Sequence, residues 1–165
     1  MSRRRALALS LALLGALSAA AAGALALRRD PLDRRLGGSV AAFDRAFPHR
    51  VESSAQRRIY LTPDGRLLLD LTSDGRVRQI TLGRDRAVND TWEPDPNDWS
   101  FATAQRLARA YLPRDARFEA TEPFLFRERE SGTRERYRSP ALGECFVTYY
   151  RTSAGAVAFL LVGLS

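Results

Sequence analysis

A chain of 165 residues has room for one domain with a real core, and its formal net charge of +7 sets 26 basic residues against 19 acids. Every basic residue is Arg; Lys is absent. A single Cys (Cys145) and a single His (His49) exclude an intrachain disulfide and a cysteine-built zinc site, and leave His49 as the one base a catalytic triad could use. His49 lies in Phe47-Pro48-His49-Arg50, a helix-exit segment where an exposed, idle imidazole is expected.

The chain opens with Arg3, Arg4 and Arg5, followed by an uncharged run from Ala6 to Leu27. Its Leu-rich first half and Ala-rich second half follow the n, h and c regions of a secretory signal, with Ala24-Leu25-Ala26 as a cleavage site. A run of this length can also span a hydrocarbon core as an uncleaved anchor. Residues 1–26 are therefore expected to be a signal peptide or a membrane anchor. The protein would be secreted, periplasmic, or held outside the cytoplasmic membrane by residues 6–27. Leaving that segment aside sets 23 Arg against 19 acids, a mildly basic balance that does not imply nucleic-acid binding.

Residues 27–38 are charged and end in Gly37-Gly38, which reads as a linker. A single domain is expected over 39–165. Ser39 is a suitable N-cap, and Val40, Phe43 and Phe47 share one face of a short helix that Pro48 stops. Thr-x-Asp-Gly-Arg then occurs twice, at Thr62–Arg66 and Thr72–Arg76. Gly65 and Gly75 supply the positive φ of tight turns, so three antiparallel strands in a meander follow. Leu67, Leu69 and Leu71 line one face, with Ile59 and Leu61 expected on the same side. Val77 is out of phase with Ile80 and Leu82, which predicts a bulge near Arg78 and Gln79.

Residues 85–98 carry no regular pattern. Asp90, Glu93, Asp95 and Asp98 lie around Trp92 and Trp99, without the spacing or the central Gly of a calcium loop. No metal or cofactor is expected there. Ser100 caps a second helix, whose stripe runs through Phe101, Ala104, Leu107, Ala108, Tyr111 and Leu112 and stops at Pro113. Strands return from Phe118. Residues 124–130 are expected to turn at Ser131-Gly132-Thr133 and pair with Arg134–Ser139; Glu144–Arg151 and Ala156–Leu164 follow. The last run is apolar on both faces, which predicts a central strand covered on each side.

The fold class is thus α+β: two helix-plus-meander units, halves 39–84 and 99–165, with short helices on one face of a mainly antiparallel sheet. Through Leu67–Leu82, Trp99–Ala116 and the closing hairpin, the chain resembles small exported bacterial proteins of the β-lactamase-inhibitor-like fold. The resemblance implies the architecture. It implies no inhibitory activity, and no contact residue is carried over.

Two features are candidates for function. Arg127, Arg129, Arg134, Arg136 and Arg138, with Tyr137, form a binding patch if their faces coincide, because planar guanidinium groups grip phosphate or carboxylate. In the opposite register, Arg and Glu pair across the strands and the hairpin is merely soluble. The second candidate is the loop with Trp92, Asp95, Asp98 and Trp99. Cys145 beside a strand reads as a buried structural thiol, or as a reactive or dimer-forming one. The leading expectation is a non-enzymatic binding module for an unknown protein or an anionic cell-envelope component, working through the open sheet face or the 83–98 loop. Nucleic acid is not the expected partner, and membrane contact is confined to the N-terminal segment. The alternative is a carboxylate-dependent hydrolase or transferase using Asp95 and Asp98.

Overall fold

Among the described residues eight strands form one antiparallel sheet in the order β1-β2-β3-β4-β8-β7-β6-β5. The computed structural model describes residues 33–83, 94–126 and 129–165, with the side chains of 126 and 129–131 excepted. The strands are β1 (Arg50–Ser53), β2 (Arg57–Thr62), β3 (Gly65–Leu71), β4 (Val77–Gly83), β5 (Arg117–Phe126), β6 (Arg129–Ser139), β7 (Gly143–Arg151) and β8 (Val157–Leu164). Helix α1 (Val40–Ala46) precedes β1, and α2 (Phe101–Tyr111) precedes β5. The class is mixed α+β. Among the described residues no helix is long and apolar enough to cross a membrane.

Both caps form as their residues predict. Ser39 Oγ accepts from the Ala41 amide, and Ser100 Oγ accepts from the Thr103 amide. Helices of 7 and 11 residues cannot hold themselves together in water, so packing supplies their stability. Helix α2 lays Ala104, Ala108 and Tyr111 against the sheet, and Phe101 meets Tyr149 edge-on at 4.9 Å between ring centroids. Helix α1 places Phe43 on Tyr111, and its C-cap Phe47 on Tyr60. One continuous core results, with Leu67, Leu69, Ile80, Leu82, Val147, Leu160 and Val162 fully buried.

The turn glycines take the expected positive φ, +129° at Gly65 and +73° at Gly75. The bulge also falls where the phase change put it: Asp70 pairs Gln79 and Leu71 pairs Val77, which leaves Arg78 unmatched.

Other expectations are corrected. Tyr60, not Ile59 and Leu61, faces the core from β2, because it sits opposite Leu67, and directly paired residues share a face. Leu61 is exposed instead. Strand β1, at Arg50–Ser53, was not expected; its four residues are all exposed, so it carries no apolar alternation to reveal it. The segment expected as a tether is packed from Asp33 onward: Leu36 is buried, its amide donates to Tyr111 O, and Gly37 and Gly38 pair with Val77.

The largest correction concerns β5 and β6. Ser131-Gly132-Thr133 is not a turn but the interior of β6; Thr133 pairs Pro123 on one side and Tyr149 on the other. Strand β8 is central, between β4 and β7, as expected. Among the described residues no helix covers its second face, however. Phe159 is half-buried there by Tyr150, stacked at 3.9 Å.

Candidate functional site

Strand alternation divides the arginine-rich hairpin between two faces of the sheet. Arg134, Arg136 and Arg138 point away from the helices, while Glu135 and Tyr137 point into the helix side and are buried. Tyr137 is therefore not part of the arginine patch. Arg127 lies outside the described residues; Arg129 begins β6 opposite Phe126. Two of the three described arginines are matched by acids of β5. Arg138 Nε reaches Glu119 at 2.6 Å and Arg136 Nε reaches Glu122 at 3.9 Å. The pairing across strands is the opposed-charge outcome, with partners supplied by β5.

Arg134 is held differently. Its guanidinium lies 4.6 Å from the Phe124 ring centroid and 4.7 Å from that of Phe146, and its Nε donates to Thr148 Oγ1 at 3.1 Å. A cation between two rings is fixed in orientation and keeps its charge. The rings belong to a larger cluster. Tyr150 stacks on Phe159, and Phe124 meets Tyr150 edge-on at 5.1 Å.

Registers explain how the cluster assembles. Gly132 stands between Phe124 and Tyr150 in one cross-strand row, and Phe159 stands between Tyr150 and Gly83. Phe146 lies over Gly163, where an added Cβ would come 2.8 Å from the ring. Glycines leave the space into which these rings lean. The result is an aromatic shelf on the sheet face away from α1 and α2, with one sandwiched guanidinium within it.

The helix side carries a second feature. Glu135 Oε2 accepts from the Tyr137 hydroxyl and the Tyr149 hydroxyl, each at 2.8 Å, and Oε1 accepts from Gln105 Nε2 at 2.7 Å. Burial, followed by these bonds to a carboxylate, raises both phenols well above their ordinary range. Glu135, Tyr137 and Gln105 of this cluster line a cleft of about 720 Å³, together with Arg35 and residues of α2, of the segment 112–116 and of β5. Sequence reasoning missed Glu135 because it sits in an Arg-Glu alternation that reads as surface. The available signal was its shared face with Tyr137, two residues on.

The loop candidates separate. Trp99 is buried and pairs its backbone with Val157 in both directions, so it belongs to the core and not to a recognition surface. Asp98 Oδ2 accepts the Asp95 amide at 2.9 Å, and Asp95 Oδ1 accepts the Asn97 amide at 2.7 Å. These carboxylates fasten a turn. Trp92 lies outside the described residues. His49 is exposed. Cys145 is fully buried, which pushes its thiol up to about 11.

Comparison of the chain with protein-family models, with curated proteins and with solved structures gives no match in any of the three.

Proposed function

We propose that this protein is a non-catalytic binding module of the bacterial cell envelope, and that it holds an acidic glycan on the sheet face away from α1 and α2. The observation that carries the reading is the Arg134 guanidinium fixed between Phe124 and Phe146, beside the stacked pair Tyr150 and Phe159. Sugar rings lie flat on aromatic faces, and a planar guanidinium takes a carboxylate through two parallel hydrogen bonds. Export is supported by the Arg3–Arg5 start and the apolar run behind it. Asp95 and Asp98, spent on backbone amides, offer no support to a hydrolase.

The strand order also supports reading the domain as two helix-plus-meander units joined along β4 and β8, as in the β-lactamase-inhibitor-like proteins. In that reading each helix and its four following strands form one unit, and the glycan lies across the second.

Calorimetric titration with polygalacturonate and with neutral dextran tests the proposal. The acidic polymer is expected to bind and dextran to bind far more weakly. Arg134→Ala, and separately Tyr150→Ala with Phe159→Ala, are each expected to weaken binding about tenfold, the loss of one charge-assisted or aromatic contact. Equal binding of both polymers, or an Arg134→Ala variant indistinguishable from the parent, overturns it.

A further inference from the structure

The cleft on the opposite side of the sheet is built from different chemistry. We infer that it binds a small organic monocarboxylate, with its charge at Arg109 and its apolar body along Phe118, Pro113 and Ala116. This is independent of the glycan reading, which uses the other face.

The sign of the ligand follows from which charges are already committed. Arg35 Nε is 3.1 Å from Asp33 Oδ1, and its Nη1 donates to the carbonyls of Arg109 and Leu112 at the end of α2. Arg114 Nε lies 3.6 Å from Asp33 Oδ2. Arg109, exposed at the same cleft, has no acid within ion-pair distance among the described residues. Glu135, the one carboxylate among the described residues that line the cleft, is 6 % exposed and already accepts three hydrogen bonds of the roughly four its lone pairs allow. A cationic ligand would find that acceptor nearly saturated. An anion meets in Arg109 a guanidinium lining the same cleft that none of the described acids holds in an ion pair.

The apolar component has its own evidence. Phe118 is 57 % exposed and is fixed edge-on against Tyr137 at 5.7 Å. An exposed ring held by a buried one is a preformed wall and loses little freedom when covered. The cleft volume of about 720 Å³ falls in the range of roughly 300–1,000 Å³ common for small-molecule sites.

Phenylbutyrate and phenylbutylamine share a body and differ in charge, so the pair isolates the claim. Amide NMR of the full chain is titrated with each. Phenylbutyrate is expected to give saturable shifts at Arg109–Ala116 and Phe118–Thr121, and phenylbutylamine none there. Arg109→Gln is expected to weaken phenylbutyrate about tenfold, while Arg109→Lys, which keeps the charge, recovers part of the loss. Both changes are at an exposed side chain, and the amide spectrum itself reports whether the variant is folded. Shifts that never saturate, equal response to the amine, or an Arg109→Gln variant with unchanged affinity would each sink the assignment. Failure here leaves glycan binding at Arg134 unaffected, since the two sites share no residue.

Discussion

The Tyr149 hydroxyl crosses from β7 to donate to Glu135 Oε2 on β6 at 2.8 Å, with both side chains buried. Tyr137 donates to the same oxygen, and Gln105 ties the other oxygen to α2. One carboxylate thus joins two strands and a helix beneath the core. Tyr149→Phe removes one bond to a charged acceptor and is expected to cost about 1.5–3 kcal/mol. Glu135→Ala strands two hydroxyls and an amide at once and is expected to cost more, about 3 kcal/mol or above. In a double-mutant cycle by urea unfolding, the two changes together should cost clearly less than their sum. Additive losses would mean that the network does not act as a unit.

The same groups set the alkaline limit. Burial is the largest cause raising Tyr60, Tyr137 and Tyr149; for the first, the Asp44 carboxylate adds to it, and for the others Glu135 does. Cys145 rises from 9.0 to about 11. Each folded value lies above the unfolded one, so their stability is complete below the unfolded values. As pH rises, the unfolded chain ionises first and binds fewer protons, and stability falls. The urea midpoint is expected to stay level up to about pH 9 and to fall steadily above it as Cys145 and then the phenols ionise. Tyr149→Phe should flatten the slope above about pH 10. A midpoint unchanged up to about pH 11 refutes the account.

Local signals carried much of the fold. Ser39 and Ser100 announced their helices, Gly65 and Gly75 their turns, and the phase of Val77 its bulge. Each of these is written within a few neighbouring residues. What failed depended on pairing. Ile59 and Leu61 look more apolar than Tyr60, yet register against Leu67 decides which faces inward. Ser131-Gly132-Thr133 has turn composition, but Gly132 is there because Tyr149 leaves no room for a side chain. The site was legible in the same proportion. Arg134, Arg136 and Arg138 share a face, as alternation requires. Their acid partners Glu119 and Glu122, and the rings around Arg134, come from strands whose register one sequence does not fix.

Gly132 supplies a direct check of the corrected β6. A Cβ at this position would stand 1.9 Å from the Tyr149 carbonyl oxygen, a backbone atom held in the β6–β7 ladder. Gly132→Ala must open that pairing and is expected to cost about 3 kcal/mol, the upper end for overpacking. Gly155→Ala provides the contrast. Nothing lies within 4 Å of its Cβ, and its φ of +79° costs an alanine only about 1–2 kcal/mol. Were Ser131–Thr133 a turn, the two variants would unfold at similar urea concentrations.

Cys145 should be inert while the fold holds. It is fully buried, and desolvation keeps its thiol protonated at neutral pH. Native protein is expected to react with a thiol reagent at least about a hundredfold more slowly than denatured protein, tracking the opening equilibrium. Neither should an oxidised dimer form on storage. Prompt native labelling would instead assign Cys145 the reactive role.

Strand β8 is where the two halves of the sheet meet, since β4 pairs with it on one side and β7 on the other. Its Val157, Leu160 and Val162 are fully buried in the common core. Each such side chain is worth roughly 1.5–3 kcal/mol against exposure, and domain stabilities are only about 5–15 kcal/mol. Removing Val157–Ser165 also strips Trp99 of both backbone bonds to Val157, which loosens the entry to α2. The truncated chain is expected to show no cooperative unfolding and collapsed dispersion in its amide spectrum. Removing Ser165 alone takes one bond, its amide to Glu144 O, and should shift the midpoint little. A truncated chain that still unfolds cooperatively, with β1–β4 amides at native positions, would show instead that the first meander and α1 stand without the second.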